Sequence, residues 1–62
     1  MQQVPIESKT IASIAYNEET SALHVWMRRG RHLIHYNITK AMFENLASAE
    51  EPDFYYKTYI VD

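Results

Sequence analysis

The segment from His24 to Tyr36, HVWMRRGRHLIHY, brings aromatic rings and guanidinium groups close together in the chain. A tryptophan ring can stack on a nucleobase, and arginines can hold phosphate oxygens through paired N–H donors. Histidines add donors whose charge changes between about pH 5 and 8. This combination predicts a binding site for a nucleotide or a short nucleic acid. The candidate ligand-binding residues are His24, Trp26, Arg28, Arg29, Arg31 and His35.

Trp26 also supports two other interpretations. Together with Leu33 it would form a small apolar patch surrounded by charge, a composition that is common in interface hot spots. Trp26 and Leu33 are therefore the candidate interface residues, either for self-association or for docking another protein. Alternatively, Trp26 covers the second face of a sheet and is itself capped by the tail of the chain.

Catalytic and metal chemistry are not expected. The serines lie in no nucleophile elbow, and a single glycine excludes a glycine-rich phosphate loop. The paired acids Glu18-Glu19 and Glu50-Glu51 are typical of solvated turns. His24 and His35, if opposed across two strands, supply too few of the three or four ligands that zinc requires. The sequence therefore predicts no enzyme, no metal site and no cofactor.

The bulk properties indicate one small domain. Sixty-two residues bury a limited core, so stability must come from tight aromatic packing or from self-association. There is no cysteine for a disulfide, and no apolar run approaches the roughly 18 to 20 residues of a membrane span. The N-terminal residues lack the pattern of a signal peptide. We expect a cytoplasmic homo-oligomer without membrane contact.

The charge of the chain is unevenly distributed. A net charge of −2 argues against a protein that binds nucleic acid over its whole surface. However, no acid occurs between Glu19 and Glu44, and all three histidines lie in that interval with four cations: Arg28, Arg29, Arg31 and Lys40. This segment suits a small anionic ligand or an acidic partner patch. The alternative is a solvated hairpin tip.

Alternating apolar residues predict a three-stranded antiparallel meander. Residues 1–9 read as an irregular lead-in, and 10–16 as the first strand. The second strand carries Leu23, Val25 and Met27 on one face, and the third follows Gly30. A helix over 39–49 and a fourth strand in the tail 53–62, with a short helical turn as its alternative, complete an α+β domain.

The register of the central hairpin decides which side chains share a face. A two- or four-residue loop around Arg29-Gly30 places Ile34 and Tyr36 on the buried side with Leu23 and Val25. The same register opposes Trp26 to Leu33 and His24 to His35 on the outer side. A three-residue loop, the alternative, would turn His35 toward the core.

Details of the helix support its placement. Thr39 is a suitable N-cap, and Ile38 and Phe43 have the spacing of a hydrophobic staple. Pro52 prevents the helix from continuing past about Glu51. In the tail, strand alternation would put Phe54, Tyr56 and Ile60 on one side, where core packing is the favoured interpretation.

The apolar positions follow a particular order along the chain: Ile11, Ile14, Tyr16, Leu23, Val25, Met27, Gly30, Tyr36, Ile38, Phe43, Leu46 and Ala49. From about Ser8 to Ile60 this order resembles the KTSC domain, named for its occurrence at the end of some lysyl-tRNA synthetases and also found as a free-standing bacterial or phage protein. The resemblance implies one compact domain over 1–62 without a settled activity, for which RNA binding was suggested from context. Here Ile34-His35-Tyr36 replaces a central Tyr-x-Tyr, and the acidic stretch 50–53 would repel phosphate.

These observations lead to one functional hypothesis and one alternative. We expect a non-catalytic module that binds a nucleotide or short nucleic acid through Trp26 and the arginines. By analogy with small phage anti-defence proteins, such a module would sequester a nucleotide signal. The alternative is a protein-interaction module or subunit that docks through the Trp26 patch without a nucleotide.

Overall fold

The structure is a computed structural model that describes residues 2–61. It shows a four-stranded antiparallel sheet in sequential order, with helical segments packed against one face, so the predicted α+β class is confirmed. The elements are β1 (Val4–Pro5), β2 (Ile11–Asn17), β3 (Ala22–Met27), β4 (His32–His35), α1 (Lys40–Ser48), α2 (Pro52–Tyr55) and a π-helical segment (Tyr56–Val61).

The core lies between the sheet and the helices. Ile14 of β2 pairs with Val25 of β3, and both side chains are fully buried because these β-branched residues pack well on a pleated surface. Leu46 of α1 closes the core from the opposite side. The buried cluster consists of Ile6, Ile11, Ile14, Leu23, Val25, Ile38, Leu46 and Tyr56.

The loop between β3 and β4 has three residues, so the predicted register is wrong. The Met27 N–H donates to the Arg31 carbonyl at 2.8 Å, and the Gly30 N–H donates to the Met27 carbonyl at 3.0 Å. A two-residue hairpin turn of either common type would require a positive φ at Arg29, which an arginine disfavours. The observed loop has its positive φ at Gly30 instead, at 96°.

This register moves four side chains to the opposite face from the one predicted. Leu33 pairs with Val25 and packs against the core, and His35 pairs with Leu23 on the same side. Ile34 and Tyr36, expected to be buried, are 42% and 65% exposed. The predicted oppositions of Trp26 with Leu33 and of His24 with His35 are therefore wrong.

Helix α1 begins where the sequence predicts. The Thr39 hydroxyl accepts a hydrogen bond from the Met42 N–H at 3.1 Å, which confirms the predicted N-cap. Leu46 is fully buried, while Met42 and Phe43 are partly buried against the core. The helix thus presents an apolar stripe to the sheet, as its spacing indicates.

The tail is helical, so its predicted strand is wrong and the helical alternative is correct. Pro52 occupies the first turn of α2, a position that suits its fixed φ and missing N–H. The helical winding buries Tyr56 but leaves Phe54 64% exposed, so these side chains do not share one face. Only Tyr56 of the tail's aromatic residues is buried. Asp62 lies outside the described residues.

The N-terminal lead-in is more ordered than predicted. Val4 and Pro5 pair with Ile14 and Ser13 as the short strand β1, and Ile6 is buried in the core. Within residues 2–61, no helix has the length and apolar character needed to cross a membrane.

Candidate functional site

Three rings form a stack on the outer face of the sheet, away from the helices. Trp26 lies parallel to His32, with ring centroids 4.7 Å apart and an angle of 7° between the planes. His24 continues the stack, and its Nδ1 lies 3.0 Å from Nε2 of His32, within hydrogen-bonding distance. Cross-strand pairing of Trp26 with His32 places these rings side by side. His32, which the sequence analysis did not select, is therefore part of this group.

The apolar neighbour of the outer stack is Ile34. Ile34 pairs with His24 on the adjacent strand β3, and the Ile34 side chain is 42% exposed. Leu33, the predicted companion of Trp26, lies on the core side instead. Because side chains alternate along a strand, the one-residue difference in register exchanges these two residues.

Arg28 forms hydrogen bonds to the N-terminal segment. Its guanidinium donates through Nε to the Ser8 carbonyl and through an Nη atom to the Ile6 carbonyl at 3.1 Å. Its backbone N–H donates to the Thr10 carbonyl at 2.8 Å. These bonds fix the hairpin against the chain that leads into β2. Arg28 therefore stabilises the fold through its side chain, and among the described residues no such hydrogen bond is seen for the adjacent Arg29.

Arg29 and Arg31 line a cleft at the tip of the hairpin. The cleft has a volume of about 340 Å³ and is also lined by Lys9, Thr10 and Met27. All of its charged groups are cations, and Met27 gives it an apolar surface. Within residues 2–61, these three cations form no ion pair, whereas Lys40 pairs with Glu18 at 2.9 Å.

Lys9 and Thr10 are held in place by a network of short side chains. The hydroxyls of Ser8 and Thr10 both donate to Oδ1 of Asp53, at 2.6 Å for Ser8. The Ser8 hydroxyl in turn accepts from the N–H groups of Thr10 and Ile11. The hydroxyl donors lower the pKa of the Asp53 carboxyl below its ordinary value because they stabilise the charged form. The segment beside the cleft is therefore ordered by α2.

His35, the last residue of β4, directs its side chain to the core side of the sheet and contacts the C-terminal segment. Its Nε2 is 2.7 Å from the hydroxyl of Tyr56, and the two rings meet edge to face. Burial lowers the pKa of His35 and raises that of Tyr56. The positive charge of Arg31 opposes the rise for Tyr56. His35 thus connects the sheet to the tail and is separated from the outer stack.

The structure therefore divides the predicted site into separate groups. Trp26 and His24 lie on the outer face, Arg29 and Arg31 line the cleft at the tip, and Arg28 and His35 bond to other parts of the chain. Lys9 was missed because its contribution depends on the return of the lead-in beside the hairpin. In the part of the chain that the structure describes, no three metal-binding side chains come together.

Comparison with known proteins gives a fold and a family. The KTSC domain model matches residues 7–62. A crystal structure of a KTSC domain protein from Yersinia pestis is similar with a TM-score of 0.88, over 95% of this chain and 83% of that chain. The two sequences are 22% identical, so this likeness shows the fold alone. None of the curated proteins compared with the chain matches it. From the family match, the chain belongs to the KTSC domain family.

Proposed function

We propose that this domain is a non-catalytic module that binds a nucleotide or a short nucleic acid, with phosphate groups in the cleft at the hairpin tip. The observation that supports the proposal is the composition of that cleft. Lys9, Arg29 and Arg31 surround it, and no acid lines it, although the chain as a whole has a net charge of −2. Such a local concentration of cations favours a compact anion.

The size and chemistry of the cleft fit one phosphorylated group. A volume of about 340 Å³ falls at the lower end of ordinary small-molecule sites. Arginine can bind phosphate oxygens through two parallel N–H bonds, and lysine adds a point charge. Met27 offers an apolar contact for a sugar or base edge. A ligand bound there without turnover would be sequestered, as a nucleotide signal could be.

Trp26 contributes to this function only for a ligand that extends around the hairpin. Its ring lies on the outer face, whereas Met27 of the cleft lies on the core side. A mononucleotide held in the cleft is therefore expected to leave Trp26 unchanged. A short oligonucleotide could reach both, with a base stacked against the outer rings.

Calorimetric titration with ATP, adenosine and a short oligonucleotide tests the proposal. We expect ATP to bind, adenosine not to bind, and the ATP affinity to fall as salt rises. Arg29→Gln and Arg31→Gln should each weaken ATP binding about tenfold or more, because charge-assisted hydrogen bonds contribute roughly 1.5 to 3 kcal/mol.

Lys57→Gln provides the matched control, since Lys57 is an exposed cation on the C-terminal segment away from the cleft. Its ATP affinity should equal that of the wild type. Absence of binding by any phosphorylated ligand, or an equal loss in Lys57→Gln, would contradict the proposal.

A second candidate function rests on the outer face. Trp26 is half-buried, and Ile34 on the same face is 42% exposed. Aromatic and aliphatic side chains grouped on one exposed face suit docking of another protein. In this case Trp26→Ala would abolish partner capture and leave ATP titrations unchanged.

A further inference from the structure

The two edges of the sheet differ in how well they are blocked. At one edge, β1 has two residues and contains Pro5, which has no N–H to offer a further strand. At the other edge, β4 contains neither proline nor lysine and has no bulge against β3. Within residues 2–61, the backbone of β4 finds hydrogen-bond partners only in β3. This edge is therefore available for another strand.

The residues that face the free edge follow from the hairpin. The Met27 N–H donates to the Arg31 carbonyl, so Met27 and Arg31 are a hydrogen-bonded pair. In an antiparallel ladder such pairs alternate, and the intervening residues direct their backbone groups to the other side. His32 and Ile34 accordingly point their N–H and carbonyl groups outward, and Tyr36 follows with the same alternation.

The same residues carry exposed side chains. Ile34 and Tyr36 are 42% and 65% exposed, although both are among the larger apolar or aromatic residues of the chain. Alternation places them with His32 on the outer face of the sheet. An added strand would cover these side chains and satisfy the outward backbone groups at once.

We propose that β4 pairs antiparallel with β4 of a second copy of this chain, with the two-fold axis at Ile34. This register opposes Ile34 to Ile34 of the second copy and His32 to Tyr36 of the second copy. Both pairs lie on the outer face, and the pairing joins two four-stranded sheets into one of eight. The proposal does not rest on the phosphate cleft.

Charge favours a second copy as the occupant. The segment from His32 to Thr39 contains no lysine, arginine or acid, so none of these charged side chains would oppose its own copy across the two edges. A strongly charged partner strand would find no complementary charge there. A domain of 62 residues without disulfides also gains stability from association, because its own core is small.

Sedimentation velocity over a range of concentrations tests the pairing. The wild type should form a dimer, and Ile34→Lys should be a monomer because a charge at the two-fold axis faces its own copy. Phe54→Lys is the control: Phe54 is 64% exposed on α2, and its replacement should leave the dimer intact. Circular dichroism establishes that each variant is folded.

Hydrogen exchange of the wild type keeps the test informative if Ile34→Lys fails to fold. The Ile34 N–H should exchange more slowly at concentrations where the dimer forms. A wild type that stays monomeric, a dimer disrupted by Phe54→Lys but not by Ile34→Lys, or an Ile34 N–H that exchanges at the same rate in dimer and monomer would overturn the proposal.

Discussion

Two groups of polar residues on the β3–β4 hairpin differ in whether they already bond to the rest of the chain. Arg28 donates to two backbone carbonyls of the lead-in, and the ring of His35 lies within hydrogen-bonding distance of the hydroxyl of Tyr56. At the tip, Arg29 and Arg31 line an open cleft with Lys9. The first pair of residues holds the fold together, and the cations at the tip have capacity for a ligand.

This difference separates residues that are adjacent in the chain. Arg28 and Arg29 have the same side chain, yet only Arg28 reaches the carbonyls of Ile6 and Ser8. A polar side chain that already makes hydrogen bonds within the chain has fewer donors left for a ligand.

The largest expected effect separates Leu33 from Ile34 on β4. Leu33→Thr should lower the free energy of unfolding by about 2 kcal/mol, because it removes apolar contacts from the core side. In dilute solution, Ile34→Thr should change it by no more than about 0.5 kcal/mol, because this side chain points outward. Urea unfolding of both variants measures the difference. The opposite ranking would restore the register that the structure rejects.

A smaller effect should distinguish Arg28 from Arg29. Arg28→Ala loses two hydrogen bonds to carbonyls and should reduce the free energy of unfolding by about 1 to 2 kcal/mol. Arg29→Ala should reduce it by less than about 0.5 kcal/mol, since surface substitutions without such partners are nearly neutral. Thermal unfolding at one pH compares the two. Equal losses would show that Arg29 also has a structural role.

The smallest effect is a pH dependence from His35. Burial lowers its folded-state pKa below the ordinary value of 6.5, so the unfolded chain binds the proton more readily. Its stabilising contribution should be complete above pH 6.5 and lost as the pH falls through the folded-state pKa. Unfolding free energies measured across this range should decline less in His35→Gln. An unchanged decline in that variant would assign the effect to other groups.

The sequence predicted those elements whose signals are local. The alternation in β2 and β3 and the cap at Thr39 depend on residues close together in the chain, and the structure confirms them. The strand expected in the tail is wrong because Tyr and Ile fit either winding, and the burial of Tyr56 beneath the sheet favours the helix. That contact connects residues far apart in sequence.

The candidate site was predicted in composition but not in arrangement. The cations of the hairpin are in the sequence, but their separation depends on the loop length, which the single glycine left open between two and four residues. Lys9 lines the cleft from a segment that is held by bonds of Ser8 and Thr10 to Asp53, a residue far away in the sequence. One local preference does favour the observed three-residue loop. This loop places its positive φ at Gly30, whereas a two-residue turn would place one at Arg29.

The most direct test of the account is an NMR titration with ATP that follows the side-chain Nε–H signals of the arginines and the indole N–H of Trp26. We expect the signals of Arg29 and Arg31 to shift together, while Arg28, already bonded to the Ser8 carbonyl, and Trp26 on the other face stay unchanged. Shifts confined to Trp26, or equal shifts for all three arginines, would contradict the division between residues that bond within the chain and cations that line the cleft.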